Sequence, residues 1–343
     1  MTSASSSITL ESRIKGALFG VAVGDALGGP VEFQRRGTFG KVTEYQPNMN
    51  FDLPAGAWTD DTSMTLCLAQ SFTTSHTFNP LTQLQNYIAW HGTGHLSVID
   101  RCFDIGSLTL STLLYWRTAL NQPPSYLPLT TLPDEQLASY QSKLDEQFKK
   151  PRCCGNGSLM RTVPIGLWYY KATDEVIAQY SHRASKLTHP YPTNGEACAV
   201  YSILVARILS SPTPLSKQEV FTKFRQFTFE DETLKSRFEK YNSLSDFESA
   251  REEDISSSGY VVHSLEAALW AFFTTAGYEE GCVKVVNLGD DADTVGAIYG
   301  GLAGAYYGLE GIPERWREGL LRKEMVGKVA DEFYQAVVEK GGS

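Results

Sequence analysis

Apolar residues recur at three- and four-residue spacing along most of this chain of 343 residues, and that periodicity predicts helices. It is clearest in SMTLCLAQSF (63–72), VIAQYSHRASKLTH (176–189), ACAVYSILVARILSS (197–211) and SLEAALWAFFTTA (264–276). Few segments alternate as strands do, so the pattern predicts an all-α bundle with long connections. Two segments have an unusual texture. GALFGVAVGDALGG places Gly16, Gly20, Gly24 and Gly28 four residues apart, and GAIYGGLAGAYYG repeats this with Gly296, Gly300, Gly304 and Gly308. Glycine is about 1 kcal/mol worse than alanine inside a helix, so a spaced row needs a compensating gain. Close backbone approach of two buried central helices supplies one. Asp25, inside the first row, argues against a membrane helix.

Residues 119–151 and 211–258 break the pattern. The first holds NQPPSYLPLTTLPDEQ and the second ends in SAREEDISSSG, and both read as surface excursions around the rim of a site.

Composition narrows the classes. A hydrophobic fraction of 42% supports a large core. With 39 acidic against 30 basic side chains, the net charge of −9 disfavours a nucleic-acid surface. The six cysteines are scattered without a CxxC pair, which argues against a zinc site or a disulfide framework. MTSASSSITL at the N-terminus lacks the apolar core of a signal peptide, and no apolar run suggests a membrane span. An intracellular, cytoplasmic setting is the expectation.

Candidate chemistry lies at two helix starts. In WTDDTSMTLCLAQSF the apolar run begins at Met64, so Thr59, Asp60 and Asp61 stand at the helix entry. In VVNLGDDADTVGAIYGG, Asp290, Asp291, Asp293 and Thr294 do the same. Capping and the helix dipole explain one carboxylate per start, worth roughly 0.5–2 kcal/mol for the cap. Further acids repel one another unless a cation lies between them. Hard cations such as magnesium or manganese take oxygen ligands from Asp, Glu and Thr. A shared pair of metals requires the clusters, 230 residues apart from Asp61 to Asp291, to converge, which predicts one domain over 1–343.

These residues, with the blocks GALFGVAVGDALGGPVEF, DIGSLT, GNGSLMRTVPIGL, LTHPYP and SSGYVVHSLEAALWAF, resemble the ADP-ribosylglycohydrolases. The matching blocks run in order from about residue 13 to 317. The resemblance implies a compact orthogonal helical bundle with a binuclear metal centre in a central cleft. It implies two divalent cations, magnesium first and manganese as the alternative. It also implies hydrolysis of the C1″ bond between ADP-ribose and an acceptor, so that the partners are an ADP-ribosylated protein or a small ADP-ribose derivative, with no nucleic acid and no membrane.

Carried over by motif, Thr59, Asp60, Asp61, Asp291, Asp293 and Thr294 are metal ligands. Asp290, where relatives often carry Gly or Asn, is expected to cap the helix or to support the ligands from behind. Glu32 matches a mobile acid beside the metals, and its neighbours Val31 and Phe33 predict a partly buried setting that raises its pKa. Asp104 matches an acid near the catalytic water, although Ser107 stands where that branch usually has Asn. Glu32, Asp60, Asp61 and Asp104 are the candidate catalytic residues. Gly155, Asn156, Gly157 and Ser158 form a turn whose N–H groups can approach phosphates. Arg161, His189 and Tyr260 complete the expected ADP-ribose side.

Arginine-linked, serine-linked or polymeric ADP-ribose, O-acetyl-ADP-ribose and ADP-ribose 1″-phosphate all remain as substrates. A non-catalytic ADP-ribose-binding or crystallin-like relative and a two-metal phosphoesterase are the readings of other classes.

Overall fold

The computed structural model describes residues 8–121 and 132–341. Among them the chain is helical: α1 (Leu10–Gly28), α2 (Asp60–Ser75), α3 (Pro80–Thr93), α4 (Ser107–Ala119), α5 (Asp134–Phe148), α6 (Val163–Trp168), α7 (Asp174–Ser185), α8 (Pro192–Ser210), α9 (Lys217–Gln226), α10 (Glu232–Phe238), α11 (Leu244–Ser249), α12 (Val261–Phe273), α13 (Tyr278–Val286), α14 (Ala292–Tyr307), α15 (Glu314–Gly319) and α16 (Lys323–Gly341). The described residues form isolated bridges but no sheet. The all-α architecture expected from the periodicity is the one observed.

The two glycine rows pack against each other. A Cβ at Gly20 would lie 2.1 Å from Gly300 O, one at Gly24 2.0 Å from Gly296 O, and one at Gly304 1.9 Å from Gly16 O. The pairing 16–304, 20–300, 24–296 and 28–292 makes α1 and α14 antiparallel, with backbone touching backbone. Gly308 ends α14 with φ +74° and lies outside the helical row. Leu10–Val31 (α1 and one turn beyond) is long and apolar enough to cross a bilayer by composition, which corrects the expectation that no such run exists. It is a core helix here: Asp25 is fully buried and the span is 83% buried.

Local chemistry sets the other boundaries. α8 starts at Pro192, five residues before its apolar run, because proline suits the first helical position. α7 stops at Ser185, short of the predicted end at His189, and residues 186–189 turn away. One apolar cluster runs from Ile14 to Val337 across nearly every helix.

The two excursions carry helices of their own. Of 119–151, residues 122–131 lie outside the described residues, and α5 packs through Leu144 on Leu84, Ile88, Trp116 and Leu187. The stretch 211–258 holds α9, α10 and α11 and gives the cleft only Ser258.

Candidate metal centre and active site

Because α1 and α14 run antiparallel, the C-terminal end of α1 meets the N-terminal end of α14. Asp25 in α1, Glu32 just beyond it and Asp291 and Asp293 at the head of α14 therefore converge. α2 is brought in by Asp25. Its carboxylate accepts from Thr59 N–H (2.9 and 3.0 Å), Thr59 Oγ1 (2.9 Å), Thr62 N–H (3.0 Å) and Thr62 Oγ1 (2.6 Å). The start of α2 is thus capped from another helix. Thr59 caps nothing with its own side chain, and Asp60 and Asp61 are left to face the site.

Among the described residues, carboxylate oxygens of Asp25, Asp61 and Asp293 lie within 4.8 Å of one another, as do those of Glu32, Asp291 and Asp293. Thr59 Oγ1 is 3.2 Å from Asp61 Oδ2 and 3.4 Å from Asp293 Oδ2, and Thr294 Oγ1 is 3.5 Å from Asp61 Oδ2. Asp61 Oδ1, Asp293 Oδ1, Glu32 Oε2 and Asp104 Oδ2 are buried without a hydrogen-bond partner. Burial, reinforced by neighbouring carboxylates, pushes Asp60, Asp61 and Asp293 well above the ordinary range. Burial raises Asp25 to about 6. It raises Glu32 to about 10, with Asp104 and Asp291 adding to the effect, and Asp104 to about 8, with Asp25 and Asp291 adding. Orphaned oxygens converging in an all-oxygen donor set fit a hard divalent cation, whose charge cancels the repulsion.

The cluster lines a cleft of about 740 Å³. Glu32, Asp60, Asp104, Asp291, Asp293 and Thr294 line it, while Thr59 and Asp61 lie fully buried behind. Glu32 is 4% exposed, as its apolar neighbours predict, but Phe33 turns outward. The cleft is also lined by Gly155, Asn156, Gly157 and His189, together with Gly106, Ser107 and Thr109 at the start of α4. Asn156 is fixed rather than free: its Nδ2 donates to Asp291 Oδ2 (2.6 Å) and Ser264 Oγ (2.9 Å). Gly157 lies so close to His189 and Thr109 that a Cβ would sit 3.0 Å from His189 Cε1 and 3.1 Å from Thr109 Oγ1. Burial, with the Arg161 charge, holds the His189 imidazole neutral.

Three expected binding side chains point elsewhere. Ser158 accepts from Ser185 Oγ (2.8 Å) in the core. Arg161 is 1% exposed, lies over the Tyr87 ring at 4.6 Å and donates to Thr188 Oγ1. Tyr260 leads into α12, with its ring against His263 outside the cleft, although its backbone bridges to Gly155. Asp25 is the residue the motif reading left out of the site. Its signal was a lone charge in a glycine-rich apolar helix.

The model of the family described as ADP-ribosylglycohydrolase matches residues 6–342. The chain belongs to the ADP-ribosylglycohydrolase family. It is 31% identical to ADP-ribosylarginine hydrolase Tri1 of Serratia proteamaculans over 95% of this chain and 80% of that protein. It is 26% identical to ADP-ribosyl-[dinitrogen reductase] glycohydrolase of Rhodospirillum rubrum over 90% of each. A solved structure, an ADP-ribosylglycohydrolase-related protein complex, aligns with a TM-score of 0.74 at 33% identity over 96% of this chain and 99% of that one. The fold and family make this ADP-ribosylglycohydrolase a hydrolase of glycosyl bonds.

Proposed function

We propose that this glycohydrolase is metal-dependent and releases ADP-ribose from arginine-linked adducts on protein. The convergence of two carboxylate clusters in one cleft, with four buried orphan oxygens, supports the metal dependence. The arginine linkage is supported by the likeness, at 31% and 32% identity, to two ADP-ribosylarginine hydrolases.

Thr59, Asp60, Asp61, Asp291, Asp293 and Thr294 would hold two divalent cations, magnesium or manganese. Such cations supply Lewis acidity toward ribose hydroxyls and lower the pKa of a bound water. Asp25 grips Thr59 and so fixes the head of α2. Asn156 orients Asp291. Glu32, pushed up to about 10 by burial, keeps its proton at neutral pH and can pass it to the leaving acceptor nitrogen. Asp104, the lower of the two at about 8, would be the one to ionise once held cations offset the Asp25 and Asp291 charges, and so takes a proton from the attacking water as charge develops at C1″. The cleft wall at Gly155, Gly157 and Ser107 leaves backbone and small side chains against the rest of ADP-ribose.

The test is incubation of the full chain with arginine-, serine- and 1″-phosphate-linked ADP-ribose, with and without chelator. Free ADP-ribose from the arginine substrate, lost with chelator and restored by magnesium or manganese, is the expected result. AMP as product would mark a phosphoesterase, no product a binding module, and chelator-resistant turnover would remove the metals from the mechanism.

A further inference from the structure

The lining of the cleft holds six carboxylates and, among the described residues, neither lysine nor arginine. Five of the six belong to the clusters around the metal centre. Asp290 does not: it is exposed, and its carboxylate makes no ion pair among the described residues. Beside it stands Phe33, which is 69% exposed although it lines the same cleft. The two are tied through their backbones. Phe33 N–H donates to Asp290 O at 2.7 Å, and Asp290 N–H donates to Gln34 O at 2.7 Å. Both adopt left-handed backbone, φ 65° at Phe33 and 54° at Asp290. Aspartate tolerates that region, but a bulky aromatic enters it only against a steric cost. The cost presents an uncovered ring to water beside a free carboxylate, one residue from Glu32 and one from Asp291.

We propose that Phe33 and Asp290 form the acceptor subsite and take the guanidinium of the arginine that leaves. This rests on the glycohydrolase reading, which puts C1″ beside Glu32 and the clusters and therefore puts the acceptor next to its neighbours. A guanidinium is flat and permanently charged, so it can lie on the ring face while its N–H groups reach the carboxylate. Adenine could also stack on an exposed ring, but it is neutral and gains less than a cation from the carboxylate beside it. A neutral serine acceptor gains nothing from either group. The pair thus selects for a cationic acceptor and leaves binding of the ADP-ribose half to the lining at Gly155, Gly157 and Ser107.

The test compares two peptides of one sequence, ADP-ribosylated on arginine or on serine, in steady-state turnover with magnesium. Phe33→Ala should raise KM for the arginine peptide roughly 2- to 30-fold, the range of a cation–π contact, Asp290→Asn should raise it up to about 5-fold, the range of an exposed ion pair, and both should leave the serine peptide unchanged. Phe33→Trp should keep the wild-type preference. Asp290→Asn retains a side chain suited to the left-handed backbone, so it reports even if Phe33→Ala perturbs the loop. Wild-type release of ADP-ribose from both peptides, with equal effects of the variants on both, would overturn the subsite while leaving the glycohydrolase reading intact. So would wild-type release from the serine peptide alone. Release from neither peptide would instead sink the glycohydrolase reading, and the subsite with it.

Discussion

Gly300→Ala sets two opposed effects against each other. In an isolated helix the change would stabilise by about 1 kcal/mol, because alanine is the better helix former. In this structure the new Cβ would lie 1.9 Å from Gly20 O and 2.6 Å from Gly20 C, where ordinary contact begins at 3.4 Å. Gly20 O cannot swing aside freely, since it accepts from the Tyr278 hydroxyl at 2.8 Å. Relief therefore requires α1 and α14 to part by roughly 1.5 Å, enough to forfeit half or more of each interhelical dispersion well. Overpacking of a rigid core costs about 1–3 kcal/mol, and a clash with backbone belongs at the upper end. After the propensity gain, a net loss of about 2 kcal/mol remains.

Urea unfolding measures this directly, with Gly40→Ala as control, because a Cβ there meets nothing within 4 Å. The control should be neutral or slightly stabilising, by about 0.4–1 kcal/mol. The same parting moves Asp25 and Glu32 away from Asp293, so manganese affinity by calorimetry should fall together with stability. A Gly300→Ala protein as stable as the wild type would refute the backbone-to-backbone account of the two glycine rows.

Two further predictions separate structural from functional charges. Arg161→Gln removes the contact with the Tyr87 ring and the hydrogen bond to Thr188, so thermal unfolding should show a loss of about 1–3 kcal/mol with KM unchanged; a tenfold rise in KM would instead restore Arg161 to the phosphate side. Lys217 Nζ lies 3.1 Å from the Phe272 ring centroid, and burial lowers its pKa from 10.5 to about 6. Between those values the unfolded chain binds the extra proton, so this residue makes stability rise with pH, by at most about 1.4 kcal/mol per unit. Lys217→Met should lose that slope in unfolding measured from pH 6.5 to 9, and identical slopes in both proteins would show that the rings keep the ammonium charged.

What the sequence made legible was local or repeated. Periodicity located α2, α8, α12 and the two central helices, and the surplus of aspartates over caps located both halves of the cluster. What it could not show depends on neighbours distant in the chain. Arg161 follows a glycine-rich turn that looks made for phosphate, yet α3 presents Tyr87 and the turn after α7 presents Thr188, and the guanidinium is enclosed between them. Ser158 is drawn inward in the same way by Ser185. Tyr260 lends its backbone to the cleft wall while its ring faces out. A one-dimensional motif places such residues near a site but cannot say which side of the chain the side chain takes.

The glycine rows and the aspartate clusters looked like separate oddities in the sequence, and the structure makes them one device. A second aspartate at the head of α2 is surplus only if the first is the cap. Here Asp25 of α1 does the capping, so Asp60 and Asp61 are both released to the site. That arrangement depends on α1 and α14 meeting in one register, Gly24 on Gly296 and Gly28 on Ala292. A slip by one four-residue step would slide the helices about 6 Å. The oxygens of Asp25, Asp61 and Asp293 lie within 4.8 Å of one another, so such a slip would take the cluster apart. Each glycine holds that register by letting backbone reach backbone, and a side chain at any of them would loosen the site as well as the core.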